Sequence, residues 1–221
     1  MKNLSKQEFD DLVAGASVLT KDLHGDKVYQ RDDGLMIKLF RQKRALSSAA
    51  IVPYAQRFAD NAAKLTRLGI ATITVQDIYR CPEIDRTLVT YPMLEGHLLR
   101  EELQQNYSDE LLGQFSRFLA GLHARGIYFR SVHLGNVLLQ ADGQLALIDV
   151  ADMSIRPWRL GLWKRLRNFA HLFRYREDQN ILLTNGLEYF LTGYFNAANM
   201  SAITRSIFKA LLKQKYPLPG Q

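Results

Sequence analysis

The residues Phe129-Arg130-Ser131-Val132-His133-Leu134-Gly135-Asn136 decide how this chain is read. They act together with Asp149, which follows Asn136 by thirteen positions at the end of the apolar run Leu145 to Ile148. Val137 to Leu139 and Leu145 to Val150 lie on either side of Asp142-Gly143, so two short strands are expected around a turn. Asn136 then stands where the first strand begins and Asp149 where the second ends. An amide and a carboxylate so placed can reach one metal ion from either side of a hairpin, and hard oxygen donors suit Mg2+. The competing reading is a turn-forming asparagine and a strand-terminal aspartate.

Working outward, the chain before this loop is β-rich. Ser17 to Thr20 and Lys27 to Arg31 flank Asp22-Leu23-His24-Gly25-Asp26, and Asp32-Asp33-Gly34 turns into Leu35 to Phe40. Runs separated by such turn signals predict a three-stranded antiparallel meander. Pro53 suits the first turn of a helix. Ala55, Phe58, Ala62, Leu65 and Leu68 keep helical spacing from there to Gly69, a C-terminal cap. Ala71 to Tyr79 and Thr87 to Leu94 read as two more strands around Pro82 to Asp85. Residues 1–94 therefore form one part, a five-stranded antiparallel sheet with one long helix.

From Leu94-Glu95-Gly96 onward the character is helical. Ser108-Asp109-Glu110-Leu111 resembles a helix start, and Leu112, Phe115, Phe118, Leu119 and Leu122 make one apolar stripe. Everything beyond Arg159 is mainly helical, so residues 95–221 form the second part. The fold class expected is α+β, a β-rich first lobe followed by a mainly helical second one.

Composition narrows the function. With 221 residues, nearly half of them apolar, and only six prolines, the chain is globular. Cys81 is the single cysteine, so no intramolecular disulfide forms. Met1 to Thr20 carries Glu8, Asp10 and Asp11 with no unbroken apolar core, which argues against a secretory signal. No later stretch approaches the ~20 apolar residues of a spanning helix. A cytoplasmic protein is expected, peripheral to a membrane at most.

The net charge of +7 is localised. Arg156, Arg159, Lys164, Arg165, Arg167, Arg174 and Arg176 equal it in number, with no acid among them. Such a patch implies an anionic partner: phospholipid, phosphorylated sugar or nucleic acid. Nucleic acid is disfavoured, because the chain shows neither an aromatic-rich β platform nor a reading helix. In the same segment Leu160, Trp163, Leu166, Phe169, Ala170 and Phe173 share a helix face, with Lys164, Arg165 and Arg167 off it.

Lys38 breaks the apolar strand Leu35 to Phe40, and burying an unpartnered ammonium is costly. Either strand alternation puts it in solvent or it has an anionic partner.

Taken together, these residues resemble the protein-kinase-like superfamily, and within it the small bacterial lipopolysaccharide core heptose kinases, some of them labelled toluene-tolerance proteins. The likeness spans most of the chain: Met36 to Arg41, Arg57 to Ala62 before Leu68-Gly69-Ile70, Leu88 to Gly96, Leu122 to Tyr128, the 129–136 loop, Leu147 to Asp149, and Arg165 to Leu172. The resemblance implies ATP and Mg2+ as cofactors and a lipid-anchored inner-core sugar as acceptor. Lys38 then holds the nucleotide phosphates, and Asn136 and Asp149 bind magnesium. Glu95 and Gly96 lie near the adenine, and Gly25 is what remains of a phosphate-covering loop. The helix residue that should orient Lys38 is Asp60 turned inward or, more weakly, Asn61.

Ser131 departs from the pattern, standing where such kinases carry their catalytic aspartate. So do Phe129 in place of histidine and Val150-Ala151 after the metal aspartate. A general base contributes roughly 10²–10⁴-fold, whereas phosphoryl transfer rests mainly on positioning and electrostatics. Two readings therefore stay open: a slow kinase, with Arg130 and His133 completing the loop, or a pseudokinase that binds nucleotide or serves as a scaffold in envelope assembly. His133 is either a substitute base or a loop-fixing residue. The basic segment 156–176 is expected to meet an anionic membrane face or a phosphorylated sugar.

Overall fold

A computed structural model describes residues 1–23, 25–41 and 52–215. His24, part of the expected first turn, lies outside them. The chain divides into two compact units, residues 1–94 with 149–152, and residues 95–148 with 153–221.

The first unit is a sheet with a helix packed on it. Its strands are β1 (Lys2–Asn3), β2 (Ser17–Asp22), β3 (Gly25–Gln30), β4 (Leu35–Arg41), β5 (Asp77–Cys81) and β6 (Arg86–Pro92), in the order β1-β5-β6-β4-β3-β2. Five of these pair antiparallel as the turn signals dictate; β1 adds a sixth in parallel to β5, through Lys2 opposite Tyr79. The strand before the Pro82 turn is shorter and later than Ala71 to Tyr79; Ile73 is buried ahead of it, and Thr72 makes only an isolated bridge.

No element was expected before Ser17, yet α1 (Lys6–Val13) forms there. Ser5 and Glu8 make a reciprocal capping box at its start, and Phe9 buries against Ile37, Leu39, Cys81 and Leu88. The longer helix α2 (Tyr54–Arg67) buries Ala55, Phe58, Asn61, Ala62 and Leu65. It ends at Gly69 with φ +70, where the Ile70 and Gly69 amides donate to the Leu65 and Thr66 carbonyls. This is the paired closing pattern that a left-handed glycine permits.

The second unit contains α3 (Leu99–Gln105), α4 (Asp109–Ala124), α5 (Leu162–Leu172), α6 (Arg176–Leu182), α7 (Leu187–Ala197) and α8 (Ala202–Lys215). Two small sheets carry its loops. β7 (His97–Leu98), β9 (Val137–Leu139) and β10 (Leu145–Leu147) form one, and β8 (Ile127–Phe129) with β11 (Met153–Ile155) the other. Ser108 caps α4 by accepting from the Leu111 amide. Its core is aromatic: Phe169 meets Phe190, Tyr194 and Phe208 edge-on at 4.8–6.1 Å between centroids.

The buried face of α5 differs from the one expected. Arg165, Leu166, Asn168, Phe169 and Leu172 are buried, whereas Trp163 is 60% exposed with the Lys215 ammonium over its ring. Arg165 is thus not a solvent-facing member of the basic patch. It belongs to the interior.

Candidate functional site

In the first unit the site is built around Lys38. β4 is paired on both edges, with Lys38 opposite Val28 on one side and Val89 on the other. Its side chain is 7% exposed, and its ammonium lies 2.8 Å from Asp149 Oδ1. The rings of Phe40 and Phe58 stand 5.9 and 5.5 Å away, close enough for cation–π attraction. Burial pushes the Lys38 pKa down, and the adjacent Asp149 carboxylate opposes that shift. Simple strand alternation into solvent is therefore not what this lysine does.

Asp149 is held in the left-handed region, φ 55, a conformation that costs a non-glycine residue roughly 1 kcal/mol or more. Two contacts of its neighbourhood oppose that cost: the ion pair itself, and the Asn61 amide, which donates 2.8 Å to the Val150 carbonyl. The carboxylate stays one-third exposed. Burial, and to a lesser extent the nearby Asp149 carboxylate, drives the Tyr91 hydroxyl upward in pKa.

Asp60 does not turn towards Lys38. It is exposed on α2 and accepts from Gln56 one turn earlier, while Asn61 takes the inward position three residues after Phe58. The helical stripe carried that signal, since 58, 61, 62 and 65 lie on one face. A cavity of about 280 Å3 in this unit is lined by Lys27, Phe40, Arg41, Tyr54, Arg86 and Asp149, among others. Its charged lining is balanced, Lys27, Arg41 and Arg86 against Asp26, Asp149 and Asp152, so it offers donors for phosphate oxygens beside carboxylates suited to a cation. Gly25, φ +108, opens β3 with no atom near the place of an added Cβ.

In the second unit the 130–136 loop is fixed from several directions. The Asn136 side chain is buried and donates from Nδ2 to the Ser131 carbonyl at 2.8 Å. Its backbone carbonyl accepts from the Ile148 amide at 3.1 Å. Its Oδ1 takes no hydrogen bond among the described residues, an unused hard acceptor in a buried place. Arg130 is exposed. His133 packs edge-on against Tyr175 at 4.9 Å, with its Nδ1 3.5 Å from Arg100.

Asp178, fully buried on α6, was not anticipated: it accepts from Arg100 Nε at 2.7 Å and from the Leu134 amide at 3.0 Å. A buried carboxylate tied by a fork and a backbone amide holds the loop in register. Nothing local in Arg176 to Leu182 marks it. Glu95 and Gly96 are exposed in the segment leading to β7. Gly96 has its own reason to be glycine, because a Cβ there would meet the Leu139 carbonyl oxygen at 2.7 Å.

A second polar system in this unit also escaped the sequence reading. Arg165 NH1 donates to the Tyr194 hydroxyl (3.1 Å), which lies 2.7 Å from His123 Nδ1; His123 Nε2 lies 2.8 Å from Asn168 Oδ1; Asn168 Nδ2 donates to the Phe129 carbonyl at 2.6 Å. Because the amide nitrogen is committed to Phe129, Asn168 Oδ1 must accept from His123 Nε2–H. Nδ1 then accepts from Tyr194. The chain of donors runs one way and requires a neutral histidine. Burial pushes the His123 pKa down to about 3, the Asn168 hydrogen bond opposing it. Its end point is Phe129, the residue that leads into the 130–136 loop.

No family model matches this sequence, and no curated protein matches it. Solved structures do match the fold. The crystal structure of monomeric WbdD aligns with a TM-score of 0.50 and 17% identity, over 85% of this chain and 44% of that one. A medium-resolution structure of the bifunctional kinase-methyltransferase WbdD aligns at 0.45 and 17%, over 86% and 47%. The chain spans a little under half the length of these structures. At such identity the likeness concerns the fold alone, and that fold is kinase-like. Among the described residues no helix is long and apolar enough to cross a membrane.

Proposed function

We propose that this chain is an ATP- and Mg2+-dependent phosphotransferase that phosphorylates an inner-core sugar of lipopolysaccharide, and that Ser131 makes it slow. The observation that carries the reading is Lys38, an ammonium in the middle of a sheet, 7% exposed and 2.8 Å from the Asp149 carboxylate. A lysine so placed has a use for an anion. The candidate donors have the right chemistry: Lys38, with Lys27, Arg41 and Arg86 of the cavity lining, for phosphate oxygens, and the Asp149 carboxylate of the first unit and the unused Asn136 Oδ1 of the second as hard metal ligands.

When bound, ATP supplies the transferable phosphoryl group and Mg2+ neutralises the charge that develops on it. The chain's own residues have simpler tasks. Lys38 binds and orients phosphate. The Asp178 and Asn168 hydrogen bonds hold the ends of the 130–136 loop, so that Asn136 stays in place. Ser131 offers a hydroxyl where a carboxylate would accept the sugar's proton, which removes the strong base but not the positioning. His133, engaged by Arg100 and Tyr175, fits the loop-fixing role better than that of a substitute base.

One observation favours a second reading, that of a nucleotide-binding pseudokinase. The inward residue of α2 is the amide Asn61, bonded to the Val150 carbonyl rather than paired with Lys38 as a carboxylate would be. Product analysis on purified core oligosaccharide with ATP and Mg2+ separates the two. Slow product from the wild type, and at least ~10-fold more from Ser131→Asp, is expected of the kinase. No product from either variant, under conditions where a related kinase with the aspartate succeeds, leaves the pseudokinase.

A further inference from the structure

A second cavity, of about 350 Å3, lies wholly within the second unit between the start of α5 and the start of α8. Arg159, Gly161, Arg165, Asn199, Ser201 and Thr204 are among its lining residues. Arg165 is the informative one. It is 6% exposed, and no carboxylate pairs with it among the described residues. Its Nε donates to the Leu160 carbonyl and its NH1 to Tyr194; the remaining nitrogen has no partner there. A buried guanidinium without a counter-charge is a costly thing to keep, and an anion is what relieves it.

The surroundings supply the rest of an anion cradle. α5 is capped by Gly161, which offers no side-chain hydrogen bond and has nothing within 4 Å of an added Cβ. The Lys164 and Arg165 amides fold back onto the Gly161 carbonyl. The Leu162 and Trp163 amides have no acceptor among the described residues, and they carry the positive end of an eleven-residue helix. Arg159 is exposed beside them, and the Ser201 and Thr204 hydroxyls, 2.9 Å apart, face the same space from α8. Two guanidinium groups, two orphan amides and the one hydroxyl proton left over from the Ser201–Thr204 hydrogen bond match the donor demand of a tetrahedral dianion.

We infer that this cavity is a phosphate-binding site, taking a phosphate monoester carried either by a soluble sugar or by a lipid headgroup. It does not depend on the nucleotide reading, since none of its residues belongs to that site.

The test is a titration of the ¹⁵N-labelled full chain with inorganic phosphate. Saturable shifts of the Leu162 and Trp163 amides are expected, and Arg165→Gln should weaken them at least ~10-fold. Because Arg165 also supports Tyr194, Arg159→Gln, on the exposed side of the cavity, provides the variant that leaves the fold intact; it should weaken binding by ~3-fold or more. Co-sedimentation with phosphatidic acid vesicles identifies the source. Pelleting that free phosphate competes away, and that Arg159→Gln reduces, assigns the site to lipid phosphate; shifts without pelleting assign it to a soluble phosphate ester. Absence of saturable shifts at these amides, or shifts of equal affinity in the wild type and both variants, overturns the inference.

Discussion

Among the described residues two basic side chains are buried, Lys38 in the first unit and Arg165 in the second, and they are kept in opposite ways. Lys38 has a carboxylate at 2.8 Å and two aromatic faces around it. Arg165 has only neutral acceptors, a carbonyl and a phenol, and passes its polarity through Tyr194, His123 and Asn168 to a backbone carbonyl. The first arrangement is an ion pair that can be opened by a competing anion at its one-third exposed end. The second is a one-way relay in which Arg165 only donates, Tyr194, His123 and Asn168 each accept once and donate once, and Arg165 also lines a cavity. The difference separates an ion pair that keeps one end open from a network tied to the backbone at both ends.

The comparison breaks most visibly at the relay. His123→Ala should destabilise the protein by about 3 kcal/mol or more, because it opens a cavity and strands both Tyr194 and Asn168. Chemical denaturation measures it, and a loss below about 1 kcal/mol would mean that the relay is replaceable by water.

Acid tests the same network without mutation. The folded-state pKa of His123, about 3, lies below its ordinary value of 6.5. The unfolded chain therefore binds the proton first, so the neutral relay stabilises fully above pH ~6.5 and its contribution falls as pH drops towards 3. The slope is at most about 1.4 kcal/mol per pH unit for this one group. Unfolding free energies at pH 7 and pH 5 should show the decline, and His123→Gln should flatten it.

A smaller effect is expected at the ion pair. Asp149→Asn leaves Lys38 without its counter-charge, but the site's partial exposure lets water and lysine deprotonation relieve it, so about 1–2 kcal/mol is expected rather than the larger cost of a fully enclosed pair. Urea midpoints check this; a cost matching that of His123→Ala would mean the pair is structural in the same sense as the relay.

What the sequence disclosed follows from the range of the interactions involved. The alternating runs, the glycine and aspartate turns, and the stripe of α2 are local patterns, and they yield five antiparallel strands of the first unit and its longer helix, but not α1, β1 or the pairing of β4 with β6. The loop spacing and the lysine in β4 were equally legible. The inward residue of α2 was left open between Asp60 and, more weakly, Asn61, although helical phase from Phe58 points to Asn61. Arg165, Asn168 and Asp178 were not legible, because each is a polar residue whose partners lie 5 to 78 positions away along the chain. A periodic pattern counts such residues as surface. Only the assembled core shows that they are its ties.

The nucleotide site proposed at Lys38 and Asp149 can be tested in solution. Thermal unfolding of the wild type, Lys38→Ala and Asp149→Ala, each titrated with ATP in the presence and absence of Mg2+, tests it most directly. A saturable rise in the wild-type midpoint that Mg2+ strengthens is expected, with the response lost in Lys38→Ala and no longer dependent on Mg2+ in Asp149→Ala. Equal responses to ATP in all three proteins would contradict it.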